Sequence, residues 1–397
     1  MSAQHFLEPY LFSAKGLALK NRIVMAPMTT MSSFFDGSIT QDEVEYYAAR
    51  AGGPGMIITG VAYVTEGGKG FEGELSIAHD SNVQGLSKIA KAIQKDGTKA
   101  IIQIFHAGRK ANSRVLRGSQ PVSASPVAAE YPKDSETPRE LSHDEIESIT
   151  QDFGKATLRA IQAGFDGVEL HGANTYLLQQ FFSEHSNRRQ DQWGGSFENR
   201  MRFPLRVIHE VSSVIEAHAD RPFILGYRLS PEELETPGIR LEDTLAFAQA
   251  LVSTPVDYIH LSIGSYKRTS LNETSDKEPV LEKFVKALQH SKPLIGGGSV
   301  ERPEDAEAVI QSGATLVGIG RELIREPKWV QKVQAGDLKS IRYELSPFEL
   351  DELRIPLAMQ MYLKDSFREV MRFTTDGDPQ TSYETELAPM EGFEKKL

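Results

Sequence analysis

The sequence predicts an α/β fold, a (β/α)8 TIM barrel in which each of eight parallel strands leads into a helix. Three observations carry this. Eight short apolar runs are near-continuous, as expected of strands buried on both faces. Helical patterns lie between them. The chain has 397 residues, 40% hydrophobic and 25% charged, an ordinary globular composition able to fill one large core.

The runs are RIVMAP (22–27), GMIIT (55–59), AIIQIFH (100–106), GVELHG (167–172), FILGYRLS (223–230), YIHLSIG (258–264), PLIGGG (293–298) and LVGIGR (316–321). The clearest helix is SHDEIESITQDFGKATLRAIQAG: Ser142 and Glu145 fit a capping box, and Ile146, Ile149, Phe153, Ala156 and Ala160 make one apolar stripe. Gly164 stands past its end as a stop. RPEDAEAVIQSG repeats the logic, with Pro303 near the start and Gly313 past the end. Residues 1–372 read as one barrel domain. Residues 107–141 are too long and too rich in Pro and Ser for an ordinary connection after the third strand, and they read as a lid. Residues 373–397 read as a polar tail, either a mobile end or an arm on a neighbouring subunit.

Charge and cysteine content exclude several classes. Net charge is −11 with Lys and Arg scattered, which argues against nucleic acid or an anionic membrane as partner. No run approaches a membrane span and the N-terminus has no signal-peptide shape, so a cytoplasmic protein is expected. The chain has no cysteine, which removes disulfides, thiolate metal sites and iron–sulfur clusters. Nor is there an H-E-x-x-H pattern among its ten histidines, and no metal is expected.

Barrel active sites lie at the carboxyl ends of the strands. In chain order those ends offer Pro27, Met28 and Thr29; Gln103 and His106; His171, Asn174 and Tyr176; Arg228; Gly296, Gly297, Gly298 and Ser299; then Gly320 and Arg321. Glycines after strand seven let backbone N–H groups approach an anion, and Arg321 after strand eight adds a charged fork, a pairing suited to phosphate. Gln103 can pair with a ring that offers adjacent donor and acceptor. Arg228 is costly to bury without an anion. In VELHGANTYLLQQFF (168–182) a polar run interrupts a strand-like apolar stretch, either as a self-satisfied loop or as donors aimed at one ligand atom.

At these strand ends the chain resembles the Old Yellow Enzyme family of FMN-dependent oxidoreductases. The resemblance spans roughly residues 6 to 335 and rests on LKNRIVMAPMTT, YYAARAGGPGMIITG, IIQIFHAGRKA, DGVELHGANTYLLQQFFSEHSNRRQDQWGGSFENRMRF, GYRLS and GIGRELIREP. It implies an FMN-binding barrel that takes hydride from NADH or NADPH and reduces α,β-unsaturated carbonyls, and also nitro compounds or quinones. It implies that Pro27, Met28 and Thr29 line the flavin edge, that Gln103 bonds the pyrimidine side and that Arg228 sits near N1 and O2. Gly297, Gly298, Gly320 and Arg321 would hold the phosphate, and Lys110 would stand near flavin or nicotinamide. His171, which also faces the flavin, and Asn174 would donate to the substrate oxygen, with Tyr176 as proton donor.

The sequence departs from the family's pattern in places. Thr29 stands where one branch has cysteine, so thiol-based redox tuning is out. Asn174 stands where many relatives have histidine, so the pair should titrate only through His171. MIITGVAYV lacks the usual pair on strand two, which leaves Gly60 and Val61 unassigned. Barrel relatives that need a cysteine-ligated iron–sulfur cluster are excluded. Two other readings stand beside this one: a flavin-binding redox sensor, and a phosphate-binding lyase or isomerase, for which no strand-end lysine or carboxylate pair is found. Whether the chain forms a homo-oligomer is left open.

Overall fold

The computed structural model describes residues 4–365, 367 and 370–374. Of the tail expected at 373–397, Phe373 and Thr374 are described, and Phe373 is buried and bridges to Leu345; the rest lies outside the described residues. Eight parallel strands close on themselves: β1 (Ile23–Met25), β2 (Met56–Tyr63), β3 (Lys99–Phe105), β4 (Gly167–Gly172), β5 (Ile224–Leu229), β6 (Tyr258–Leu261), β7 (Leu294–Gly297) and β8 (Leu316–Ile319). Closure is made by β1, which pairs with β2 through Met25 and Ile57 and with β8 through Met25 and Ile319. Each strand falls on one of the eight apolar runs, so the fold expectation holds.

The barrel interior is layered. Val24, Met56, Ile58, Ile101, Ile224, Tyr258, Ile295 and Leu316 fill its lower part, all buried in one apolar cluster. An antiparallel hairpin, Tyr10–Phe12 with Leu17–Leu19, plugs the amino end. Phe12, Leu17 and Leu19 join the same cluster, and the intervening turn is completed by Gly16 at φ 69°. Above this floor the inward positions turn polar. Gln103 on β3 pairs in register with Glu169 on β4, while Arg228 on β5 lies opposite both His171 on β4 and His260 on β6. The barrel's shear therefore stacks titratable groups in one layer beneath its carboxyl-end mouth.

The helices follow the expected rules. α1 (Gln41–Arg50) is capped by the Thr40 hydroxyl, which accepts the Glu43 N–H. After α2 (Val83–Gln94) comes α3 (His143–Ala163), where Ser142 and Glu145 form the reciprocal box and Gly164 at φ 91° ends the helix. The resumed apolar run LLQQFF is not strand but a buried helix, α4 (Leu177–Phe182). Its two glutamines are connectors: Gln179 donates to Glu233, and Gln180 donates to the Ala107 and Thr175 carbonyls. α5 (Phe197–His218), α6 (Leu241–Val252), α7 (Val280–Leu288) and α8 (Pro303–Gln311) continue the outer ring. α9 (Arg321–Arg325), α10 (Trp329–Gln334) and α11 (Leu357–Lys364) follow β8. No described helix is long and apolar enough to cross a membrane.

Residues 107–141 are pinned at several points. The buried Arg109 donates to the carbonyls of Val127 and Ala128, and Arg189 donates to those of Ala124 and Leu141. Two short strands, Val122–Ser123 and Arg139–Glu140, pair within the excursion.

The plug carries a testable energetic role. Phe12 is 4% exposed and packs edge-on to Tyr10 at 5.1 Å. Phe12→Ala should lower unfolding free energy by about 3–5 kcal/mol in a urea titration; a loss under about 1 kcal/mol would show that the barrel floor stands without its plug.

Candidate active site

The strand ends surround a cavity with two lobes. One lobe is bounded by Pro27, Met28, Thr29, Gln103, His171, Asn174, Tyr176 and Arg228, all of them predicted from sequence. The other takes in Gly297, Gly298, Gly320 and Arg321, also predicted. Pro27, Met28 and Arg228 border both, so the lobes are continuous. His106 does not reach the cavity. It is buried, its Nδ1 accepts the Gly108 N–H at 3.0 Å, and burial pushes its pKa down to about 3. Lys110 also lies outside, with its Nζ on the Tyr131 carbonyl.

The first lobe is a set of oriented donors. Asn174 sits at φ 56°, a left-handed conformation that asparagine tolerates better than most residues. Its backbone N–H donates to Ser230 Oγ at 2.9 Å, and its Oδ1 accepts from Ser262 Oγ at 2.8 Å. With the carbonyl side engaged, the Nδ2 donor is the end left for the cavity. His171 is fixed in the same sense: its Nδ1 accepts the Ala173 N–H at 3.3 Å, leaving Nε2–H to donate. Burial, Arg228 and His260 all hold its pKa well below the usual range. The expectation that the pair titrates through His171 is therefore corrected: a buried imidazole beside a guanidinium stays neutral, and neither donor changes charge near neutral pH.

Tyr176 caps α4 and stands edge-on to His171 at 4.9 Å and to Phe105 at 4.7 Å. Burial raises its pKa, so the hydroxyl keeps its proton. A register shift between Ile58 and Val61 in the β2–β3 pairing brings Gly60 and Val61 to the cavity wall. Gly60 is held by the Tyr47 hydroxyl, which accepts its N–H at 2.8 Å. The remaining wall comes from Tyr362 and Phe367, beyond the barrel proper; no residue of 107–141 lines this lobe.

The second lobe is an anion cradle. A Cβ on Gly297 would lie 2.3 Å from the Gly318 carbonyl oxygen, and one on Gly298 would lie 2.5 Å from that of Ile263. Gly298 also has φ 94°. Backbone is thus brought closer than side chains allow. Among the described residues, no acceptor takes the N–H of Ser299 or Val300. Arg321 donates to Ser299 Oγ at 2.7 Å, and burial with neighbouring Arg325 lowers its pKa to about 10, still charged at neutral pH. Arg325, on the same wall, is paired with Glu301 at 2.6 Å and Glu322 at 3.1 Å, so Arg321 is the guanidinium that, with these N–H groups and the space left by the missing Cβ atoms, fits a phosphate.

Sequence reasoning missed Glu169, His260, Ser262, Arg325, Tyr362 and Phe367. Glu169 was readable, since it precedes His171 by two residues and so shares its inward face. Arg325 was readable too, one helical turn beyond Arg321. Tyr362 and Phe367 carry no strand-end signal. Among the described residues no group of three or more acidic or histidine side chains could hold a metal ion.

The barrel thus sets a glycine-lined lobe bearing Arg321 beside a lobe lined with oriented donors, both at its carboxyl end. The chain belongs to the NADH:flavin oxidoreductase / NADH oxidase family, whose sequence pattern matches residues 8–339. It is 41% identical to a probable NADH-dependent flavin oxidoreductase of Bacillus subtilis, over 88% of this chain and 93% of that one. It is 46% identical to the NADH:acrylate oxidoreductase of Vibrio harveyi, over 90% of this chain but only 36% of that relative, so the chain spans about a third of it. The solved old yellow enzyme homologue from Zymomonas mobilis superposes with a TM-score of 0.75 at 27% identity, covering 90% of this chain and 99% of that one.

The cradle's tightness gives a direct test. Gly298→Ala should destabilise the fold by about 1–3 kcal/mol in a urea titration, because its φ is 94° and a Cβ there meets the backbone of Ile263, Gly264 and Ser265 at 2.5–2.8 Å. Unchanged stability would mean that the loop has room for a larger backbone substituent.

Proposed function

We propose that the chain is an FMN-dependent NAD(P)H oxidoreductase that reduces the activated C=C bond of α,β-unsaturated carbonyls, and also nitro compounds and quinones. The observation that carries this is the pair of neutral donors, His171 Nε2 and Asn174 Nδ2, each locked by a hydrogen bond on its other side and both facing one lobe with Tyr176. The named substrate of the Vibrio harveyi relative, acrylate, is also an activated alkene. That substrate belongs to a protein much longer than this chain, so the proposal rests on the cavity.

In this reading Gly297, Gly298, Gly320 and Arg321 would hold the FMN phosphate, Pro27, Met28 and Thr29 would border the ring, and Gln103 and Arg228 would bond its pyrimidine side. When bound, FMN supplies hydride exchange with the nicotinamide and with the acceptor. The residues of the chain supply the rest. His171 and Asn174 hold the substrate oxygen and stabilise the negative charge that grows there as the β-carbon is reduced. Neutral donors fixed in place suit the task, because their hydrogen bonds strengthen as the oxygen gains negative charge and they need no reorganisation at that moment. Tyr176 delivers a proton to the α-carbon; burial keeps the hydroxyl protonated until a carbanion-like centre draws on it. Ser262 and Ser230 touch no reacting atom and act as positioning residues for Asn174.

Four experiments test this. The purified protein should be yellow and release FMN on denaturation, and Arg321→Ala should weaken FMN binding by about 1.5–3 kcal/mol, read by fluorescence titration of the apoprotein. A colourless protein that takes up no added FMN would refute the cofactor. In Tyr176→Phe, flavin reduction by NAD(P)H should be nearly unchanged while cyclohexenone reduction slows by about 10²–10⁴, and quinone reduction suffers far less. Wild-type enone rates in that variant would remove Tyr176 as the acid. Because His171 stays neutral, the wild-type enone half-reaction should not lose rate through it between about pH 6 and pH 8.

A further inference from the structure

Beneath the lobes lies a carboxylate that the reaction above does not use. Glu169 is fully buried at the inward face of β4. Its Oε1 accepts from Gln103 Nε2 at 2.6 Å, and its Oε2 pairs with His260 Nδ1 at 3.0 Å. Gln103 borders the first lobe and His260 the second, so one carboxylate touches a cavity-lining side chain on each side of the junction. A carboxylate accepts and does not donate. Toward Gln103 it can face only the NH2 end of the amide, since the opposite flip would set two oxygens against each other. Toward His260 it can face only a protonated Nδ1. Among the described residues no donor reaches Gln103 Oε1, and that oxygen is left for the cavity. Burial, with Arg228, lowers the His260 pKa against the opposing pull of Glu169, and in the neutral ring a proton at Nδ1, facing Glu169 at 3.0 Å, leaves Nε2 as an acceptor.

From this geometry we infer that Glu169 sets the hydrogen-bond polarity of the cofactor cavity, fixing Gln103 to present its carbonyl oxygen and His260 to present an acceptor nitrogen. The inference rests on the FMN reading and adds a positioning residue to it. An acceptor at Gln103 selects a ring edge that carries an N–H, which the flavin pyrimidine has at N3. An acceptor at His260, on the wall of the cradle lobe, suits a hydroxyl-bearing chain between ring and phosphate. The same carboxylate places a fixed negative charge near the ring, partly offset by Arg228. A reduced flavin gains negative charge, so the carboxylate holds the flavin's potential down.

The test needs one isosteric variant and one measurement on the unaltered protein. In Glu169→Gln the apoprotein should bind FMN about tenfold more weakly and lose its discrimination against N3-methyl-FMN, because Gln103 is then free to flip. The midpoint potential of its bound FMN should rise by about 30 mV or more, the equivalent of a tenfold change for two electrons. Arg321→Ala, at the other end, should lower FMN affinity and leave the potential in place. If Glu169→Gln keeps both the wild-type potential and the wild-type discrimination, the inference fails. If that variant does not fold, the ¹⁵N spectrum of histidine-labelled wild-type apoprotein decides: His260 protonated at Nδ1 supports the inference, and His260 protonated at Nε2 overturns it. A wild-type protein that binds no FMN would defeat the cofactor reading, whereas the tautomer of His260 is read without the cofactor.

Discussion

The buried carboxylate of Glu169 is the constraint around which the upper barrel is arranged. Removing an ion from water costs several kcal/mol unless partners replace the lost hydration. Here the partners are Gln103, His260 and the nearby charge of Arg228, each supplied by a different strand. Those strands flank or follow β4 in the sheet, and their register brings the three side chains to one level. Below, the plug and the apolar layer keep the charged layer from water on its lower side. Above, the same side chains become the floor of the cavity. Closure, core and site thus depend on one another.

That arrangement decides the charge state of the chemistry. Three buried histidines, His106, His171 and His260, are all held below their ordinary pKa, so the imidazoles act as fixed dipoles. Arg228 contributes to this at both His171 and His260. Positive charge lies in Arg228 at the junction of the lobes and in Arg321 at the cradle, where Arg325 is paired with Glu301 and Glu322. The geometry separates two tasks along one groove: holding an anion at one end, and stabilising charge that develops only during reaction at the other.

Most of the scaffold was legible in the sequence, for physical reasons. Parallel strands buried on both faces must be apolar runs, so all eight could be found, and the capping box at Ser142 and the stop at Gly164 bounded the longest connection. Strand-end residues were legible because a barrel projects them toward one face. The apolar run LLQQFF was left without an element, because a short buried helix and a buried strand carry the same apolar signature. The titration expected of His171 failed because pKa depends on three-dimensional neighbours. Gly60 and Val61 could not be placed, since a register shift leaves no mark in composition. Tyr362 and Phe367 return to the mouth from far along the chain, and no local pattern announces such a contact.

The central claim is that His171 and Asn174 form one oxygen-binding site above a flavin. It is tested most directly by titrating the FMN-loaded protein with a para-substituted phenol, whose ionised oxygen mimics the developing charge, while recording the visible spectrum. The account predicts a saturable long-wavelength charge-transfer band in the wild type that is lost when both residues are replaced by alanine in a variant that still holds FMN. A band of equal strength and affinity in that variant, or none in the FMN-loaded wild type, would contradict it.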